Sequence, residues 1–187
     1  ESGDGFDINA TRKFEYLDRA FFVSEGVKIM PGEYTTLGYR VTVRTTGRRP
    51  VSLYGNASLG DFWNGERLNF GGRVTFRPNP GVSISTNIQH NQVTLPQGDF
   101  VADVYEIEGQ WNPTPWVSAM TQVQFDDVSD LVGLFSRIRW IVKPGNDIYF
   151  VYTHNWQNLG AGLFDEDREF LTLSRGASMK LNYTYRL

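Results

Sequence analysis

The sequence predicts an all-β fold, an antiparallel up-and-down transmembrane β-barrel with about ten strands in this chain, complete or part of a larger barrel. Three observations predict it. Segments of roughly a dozen residues alternate apolar and polar side chains with a period of two. The connections between them alternate, near-minimal and then longer, all the way along the chain. Aromatic residues gather near the segment ends, at Phe62, Trp63, Phe100, Trp111, Trp116, Trp140, Tyr149, Trp156, Tyr183 and Tyr185, as interfacial girdles require.

The first segment, residues 6–17, carries Phe6, Ile8, Ala10, Phe14 and Tyr16 at even positions and is the weakest of the set. On Tyr34–Thr45, Tyr39, Val41 and Val43 oppose Arg40, Thr42 and Arg44. On Val51–Leu59, Val51, Leu53, Ala57 and Leu59 oppose Ser52, Tyr54, Asn56 and Ser58. On Arg67–Arg77, Leu68, Phe70, Val74 and Phe76 oppose Asn69, Arg73, Thr75 and Arg77. Val82, Ile84 and Ile88 then oppose Ser83, Ser85, Asn87 and Gln89. Tyr105, Ile107 and Trp111 oppose Glu106, Glu108 and Gln110, and Val117, Ala119, Val123 and Phe125 oppose Ser118, Gln122 and Gln124. Leu134, Ile138, Trp140 and Val142 oppose Arg137 and Arg139. Ile148–Asn155 is apolar on both faces at first, which leaves its orientation open. The last segment sets Met179, Leu181, Tyr183, Tyr185 and Leu187 against Lys180, Asn182, Thr184 and Arg186.

Tight turns are expected at Thr46–Pro50, Pro78–Gly81, Asn112–Thr114 and Pro144–Asp147, and longer connections around Gly60–Gly65, Leu95–Phe100, Asp126–Asp130 and Gln157–Leu171. With the tight turns in the periplasm, the last strand leaves the C-terminus there, and strand 6–17 makes the count even and returns Glu1 to the same side. Segments of about 12 residues, rising ~3.3 Å each and tilted ~45°, span roughly 28 Å, close to a bilayer's apolar band. Globular strands run to only about 5–6 residues. Alternation by itself also fits a soluble barrel or sandwich with its apolar face turned inward, which stays as an alternative.

Composition narrows the class further. At 187 residues the chain fits one domain, residues 1–187, an outer-membrane barrel or the C-terminal portion of one. There is no cysteine, which excludes a disulfide frame and a thiolate metal site, and a net charge of -3 gives no basic excess for nucleic acid. Arg outnumbers Lys, which occurs only at Lys13, Lys28, Lys143 and Lys180. No apolar run approaches the ~20 residues of a membrane helix, and barrel strands need none. The opening Glu1-Ser2-Gly3-Asp4 has no signal-peptide pattern, so a removed leader or a longer parent chain is expected.

Several segments carry a more specific resemblance: Pro31-Gly32-Glu33-Tyr34, Arg48-Arg49-Pro50, Gly60-Asp61-Phe62-Trp63-Asn64-Gly65, Arg77-Pro78-Asn79-Pro80, Leu95-Pro96-Gln97-Gly98-Asp99-Phe100, and Arg137-Ile138-Arg139-Trp140 followed by Lys143-Pro144-Gly145-Asn146-Asp147. In order and spacing, over roughly residues 14–187, they resemble the C-terminal barrel region of a bacterial family of unknown function. Its members pair an N-terminal family-nine-like carbohydrate-binding domain with a large outer-membrane barrel. The resemblance implies location in the bacterial outer membrane, with membrane lipid and the barrel assembly machinery as partners and an extracellular saccharide as a candidate ligand. It implies no catalytic residues.

The residues themselves offer three kinds of chemistry. His90 and His154 fall near strand ends, with Asp99, Asp103, Asp126, Asp127, Asp130, Asp165 and Asp167 in the neighbouring loops. A His–carboxylate pair such as His154 with Asp167 is what a rim-site hydrolase would need, against the plainer reading of acidic, solvated loops. Asp126–Asp130 and Asp165–Asp167 lack EF-hand spacing, so neither a metal nor a cofactor is expected. The polar face is more informative. Arg40, Arg44, Arg73, Arg77, Arg137, Arg139, Lys180 and Arg186, with Glu106 and Glu108, are expected to point into the lumen. They would form either an anion-selective wall or a structural charge network, and the network is favoured for an isolated ten-stranded chain. Phe62 and Trp63 within Gly60–Gly65 could offer an aromatic platform to a sugar. The expected function is a channel or surface-binding scaffold rather than an enzyme, the alternatives being a rim-site hydrolase and a soluble ligand-binding β-barrel.

Overall fold

The computed structural model describes residues 3–160 and 169–184. Its strands are β1 (Gly5–Leu17), a short pair β2 (Phe21–Ser24) and β3 (Val27–Ile29), then β4 (Gly32–Arg44), β5 (Val51–Phe62), β6 (Gly65–Asn79), β7 (Val82–Thr94), β8 (Phe100–Thr114), β9 (Val117–Asp126), β10 (Leu131–Lys143), β11 (Asn146–Asn158) and β12 (Phe170–Asn182). The ten long strands make one antiparallel sheet in the order β1-β4-β5-β6-β7-β8-β9-β10-β11-β12, and β2 pairs β3 separately. All ten expected strands are present with next-neighbour pairing. The β2–β3 hairpin, inside the connection from β1 to β4, is the addition. The sheet is open: among the described residues β1 and β12 each pair on one side only.

Pairing register fixes the faces. Leu134 lies opposite His154, Ile138 opposite Phe150 and Trp140 opposite Ile148, so the even residues of β11 share the apolar face and Asp147, Tyr149 and Val151 the polar one. That resolves the strand whose pattern was ambiguous. The apolar face is the uncovered one: Val41, Leu53, Phe70, Ile84, Val123 and Leu181 are all exposed. Ser52 and Thr75, on the polar face, are buried. Thr75 shares a 3.0 Å hydroxyl–hydroxyl hydrogen bond with Ser85.

Hydrogen bonds tie each described end of the chain to a tight turn. Thr46 N–H donates to Asp4 Oδ1 at 2.9 Å, and Thr184 donates from N–H to Asn146 Oδ1 at 2.7 Å and from its hydroxyl to the Gly145 carbonyl at 2.9 Å. Gly145 sits at φ 88, a left-handed turn position that glycine adopts without a Cβ penalty. Two connections differ from expectation. β8 runs on through Pro113 to Thr114, so the turn falls at Pro115–Trp116. There Thr114 Oγ1 accepts from Trp116 N–H and Val117 N–H, both at 3.2 Å, and closes it. Gly60–Gly65 is not a long loop: β5 continues to Phe62, and only Trp63 and Asn64 turn the chain, Trp63 at φ 54.

The described residues divide into two compact units. The first comprises Glu1–Arg48, Ser52–Arg73 and Ile88–Asp103, and the second Arg49–Val51, Val74–Asn87 and Val104–Leu187. The first holds the one cluster of buried apolar residues among those described: Val27, Ile29, Val93 and Leu95, with Leu17, Val23, Tyr34, Phe62, Trp63 and Phe100 packed around it. By strand parity Leu17, Tyr34, Phe62, Val93 and Phe100 point from the polar face, near the long-connection end. The β2–β3 hairpin therefore lays its two apolar side chains over that face. In the second unit Phe125 is buried beside Tyr105, ring centroids 6.4 Å apart.

Candidate functional site

The polar face of the first unit carries a cleft of about 500 Å³, on β1, β4, β5 and the start of β6. The β1–β4 register sets Asn9 opposite Arg40 and Lys13 opposite Thr36. Lys13, Arg40 and Arg67 line the cleft with Glu15, and Asn9, Thr11, Thr36 and Ser58 contribute uncharged hydrogen-bonding groups. Phe62 and Trp63 form its aromatic end.

That end is held firmly. The Trp63 ring meets Tyr34 edge-on at 4.9 Å and Phe21 at 5.5 Å, and the Arg67 guanidinium lies 5.1 Å from the Phe62 ring centroid. Cation–π contacts of this kind contribute about 0.5–1 kcal/mol at exposed sites. Regular pairing of β4 with β5 stops at Gly38 opposite Gly60, and Asp61 Oδ2 then accepts from Leu37 N–H at 2.8 Å. A Cβ on Gly60 would fall on the Leu37 carbonyl oxygen. The close approach of the two strands beneath Trp63 therefore depends on glycine. Among the described residues no ion pair joins Lys13, Arg40 or Arg67 to a carboxylate.

Four other cations of this face are engaged. Arg139 Nη2 donates to Asp147 Oδ2 at 3.0 Å, with its guanidinium 5.5 Å from the Tyr149 ring centroid. Arg44 pairs with Asp7 at 3.2 Å. Arg73 and Arg77 have partners too. Glu106 accepts from Gln122 at 3.0 Å and Glu108 from Gln110 at 2.7 Å. Lys180 lies opposite Tyr149, and Arg137 opposite Val151 and Met120, on the same polar face. Aspartates, not glutamates, supply the carboxylates that hold Arg44 and Arg139, and Arg186 lies outside the described residues.

The histidines are elsewhere. His90 and His154 both lie on the apolar face. His90 Nδ1 meets Asp103 Oδ1 at 2.6 Å with the ring stacked on Phe70 at 4.5 Å. His154 contacts the Tyr152 hydroxyl at 3.0 Å and the Thr172 hydroxyl at 3.2 Å, and its ring stacks on Trp156 at 3.8 Å. No carboxylate meets His154 among the described residues, and Asp165 and Asp167 lie outside them. The acidic run at Asp126–Asp130 makes a turn: Asp126 Oδ1 accepts from Val128 N–H at 3.0 Å and from Ser129 N–H at 3.1 Å. Asp99 Oδ1 accepts from Leu95 N–H at 3.2 Å in the same way. Among the described residues no group of acidic and histidine side chains has metal-binding geometry.

Sequence reasoning singled out Arg40, Phe62 and Trp63 but missed Lys13 and Arg67 as partners of one cleft. Both sit at polar positions of their strands, so alternation marked their face. Only the pairing of the strands brings them into one cleft with Arg40. Comparison with protein families, with curated proteins and with solved structures gives no match for this chain.

Proposed function

We propose that the chain is a bacterial outer-membrane β-barrel, or the C-terminal part of one, whose apolar face meets lipid and whose polar face lines the interior. It acts as a ligand-binding scaffold rather than as an enzyme. The observation that carries this reading is the inverted exposure of the two faces. Leu53, Phe70, Ile84 and Leu181 are 50%, 47%, 48% and 64% exposed, whereas Ser52 and Thr75 are 9% and 8%. A contiguous exposed apolar surface of this kind marks a partner that takes it out of water, and for a strand face of this length that partner is lipid.

Strand length supports the same reading: eight of the ten long strands have 13 or more residues, enough to cross the apolar band when tilted. The open sheet leaves hydrogen-bonding edges on β1 and β12, and a membrane requires them to be satisfied, by closure directly or through further strands. The ordered turn motifs that resemble the bacterial barrel family point the same way. Binding is favoured over conduction because the β2–β3 hairpin covers the polar face at the long-connection end of the first unit, leaving the cleft as its accessible feature.

The test is insertion. Refolded from denaturant into phospholipid vesicles, the protein should remain with the lipid after alkaline extraction. It should also migrate faster on SDS gels before boiling than after. A protein that stays monomeric and soluble without detergent would contradict the proposal.

A further inference from the structure

We infer that the cleft between β1, β4 and β5 binds an acidic sugar of a soluble oligosaccharide. The inference rests on the scaffold reading, since it names that site's ligand. Three observations specify the chemistry. Lys13, Arg40 and Arg67 line the cleft with no carboxylate partner among the described residues, and they outnumber its two carboxylates, Glu15 and Asp61, so the cleft carries a net positive charge that a ligand's anionic group would balance. Asn9, Thr11, Thr36 and Ser58 present donors and acceptors suited to several hydroxyl groups. Phe62 and Trp63 close one end, and the contacts of Trp63 with Phe21 and Tyr34 fix its orientation before any ligand arrives. A polyhydroxylated ring bearing a carboxylate satisfies all three. A simple inorganic anion would leave the aromatic end and the uncharged groups unused. A neutral sugar would leave the cations unbalanced.

The volume, about 500 Å³, lies within the range of small-molecule sites. Under the proposed orientation the cleft faces away from lipid, so the sugar comes from a soluble glycan and not from a lipid headgroup. Glu15, two positions from Lys13 on β1, and Asp61, next to Phe62 on β5, would each repel a carboxylate placed beside them. The anionic group therefore seats toward Arg40, opposite Asn9, and the sugar ring extends toward Trp63.

The experiment is calorimetric titration of the detergent-refolded protein with trigalacturonate, maltotriose and sodium sulfate. Saturable binding of trigalacturonate, about tenfold or more tighter than either comparator and weakening with added salt, is expected. Two variants localise it. Gly38→Phe projects a side chain where a Cβ meets open space, fills the cleft and should abolish binding. The double variant Lys13→Gln, Arg40→Gln removes both charges while keeping polar side chains and should weaken binding about tenfold or more. Equal binding of sulfate or of maltotriose, no binding of any of the three, or undiminished binding by the double variant overturns the inference. Protein that inserts into vesicles and fails to bind defeats this inference alone. Protein that binds and fails to insert defeats the membrane orientation instead.

Discussion

Arg40 and Arg139 are the same residue type on the polar face of the same sheet, and they do different work. Arg139, in the second unit, donates to Asp147 at 3.0 Å and stacks beside Tyr149. Arg40, in the first unit, lies opposite Asn9 and lines the cleft without a carboxylate partner among the described residues. A paired arginine has its charge balanced within the protein and serves the fold. An unpaired one keeps its charge available, and its worth is realised on binding. Which of the two an arginine becomes is set by its cross-strand neighbours, not by its place in an alternating pattern.

Four substitutions would sharpen or break that comparison. The largest effect belongs to the first unit's core. Ile29→Ala, at a fully buried hairpin position, should cost about 2–5 kcal/mol. The loss should appear as faster hydrogen exchange in residues 21–34, with the strands around Arg139 protected as before. Next, Val123→Arg on the apolar face should cost about 2–4 kcal/mol in the bilayer by denaturant titration from vesicles. A near-zero cost would mean that the face meets water. Asp147→Asn should lower stability measurably, and by less than Val123→Arg, since it removes a charged hydrogen-bond partner from the partly exposed Arg139, whose Nε is already unpartnered. Smallest is Arg40→Gln, within about 0.5 kcal/mol of the parent in unfolding. If Arg40→Gln destabilised the fold as much as Asp147→Asn, the two arginines would have the same role and the comparison would fail.

Much of the fold was legible in the chain because a period of two is a direct consequence of strand geometry. It marked all ten long strands. The β2–β3 hairpin was hidden because three- and four-residue strands are too short to show a period, and Phe21-Phe22-Val23 is apolar throughout. The turn at Trp63–Asn64 was hidden because the two flanking glycines look like loop punctuation, whereas Gly60 serves a close strand approach. The cleft was half legible. Its aromatics and Arg40 stood out, but the grouping with Lys13 and Arg67 depends on a register that adjacent segments do not encode by themselves. The His90–Asp103 pair escaped for the same reason: it joins neighbouring strands across 13 residues of sequence.

The absence of cysteine allows the orientation of the two faces to be read one site at a time. Single variants Val41→Cys and Thr42→Cys on β4, and Val123→Cys and Gln122→Cys on β9, can each carry a nitroxide label in vesicles. Relaxation by dissolved oxygen reports lipid and relaxation by a water-soluble nickel chelate reports aqueous access. With the apolar face in lipid, oxygen dominates at positions 41 and 123 and the nickel chelate at 42 and 122. Nickel access at 41 and 123 equal to that at 42 and 122 would contradict it.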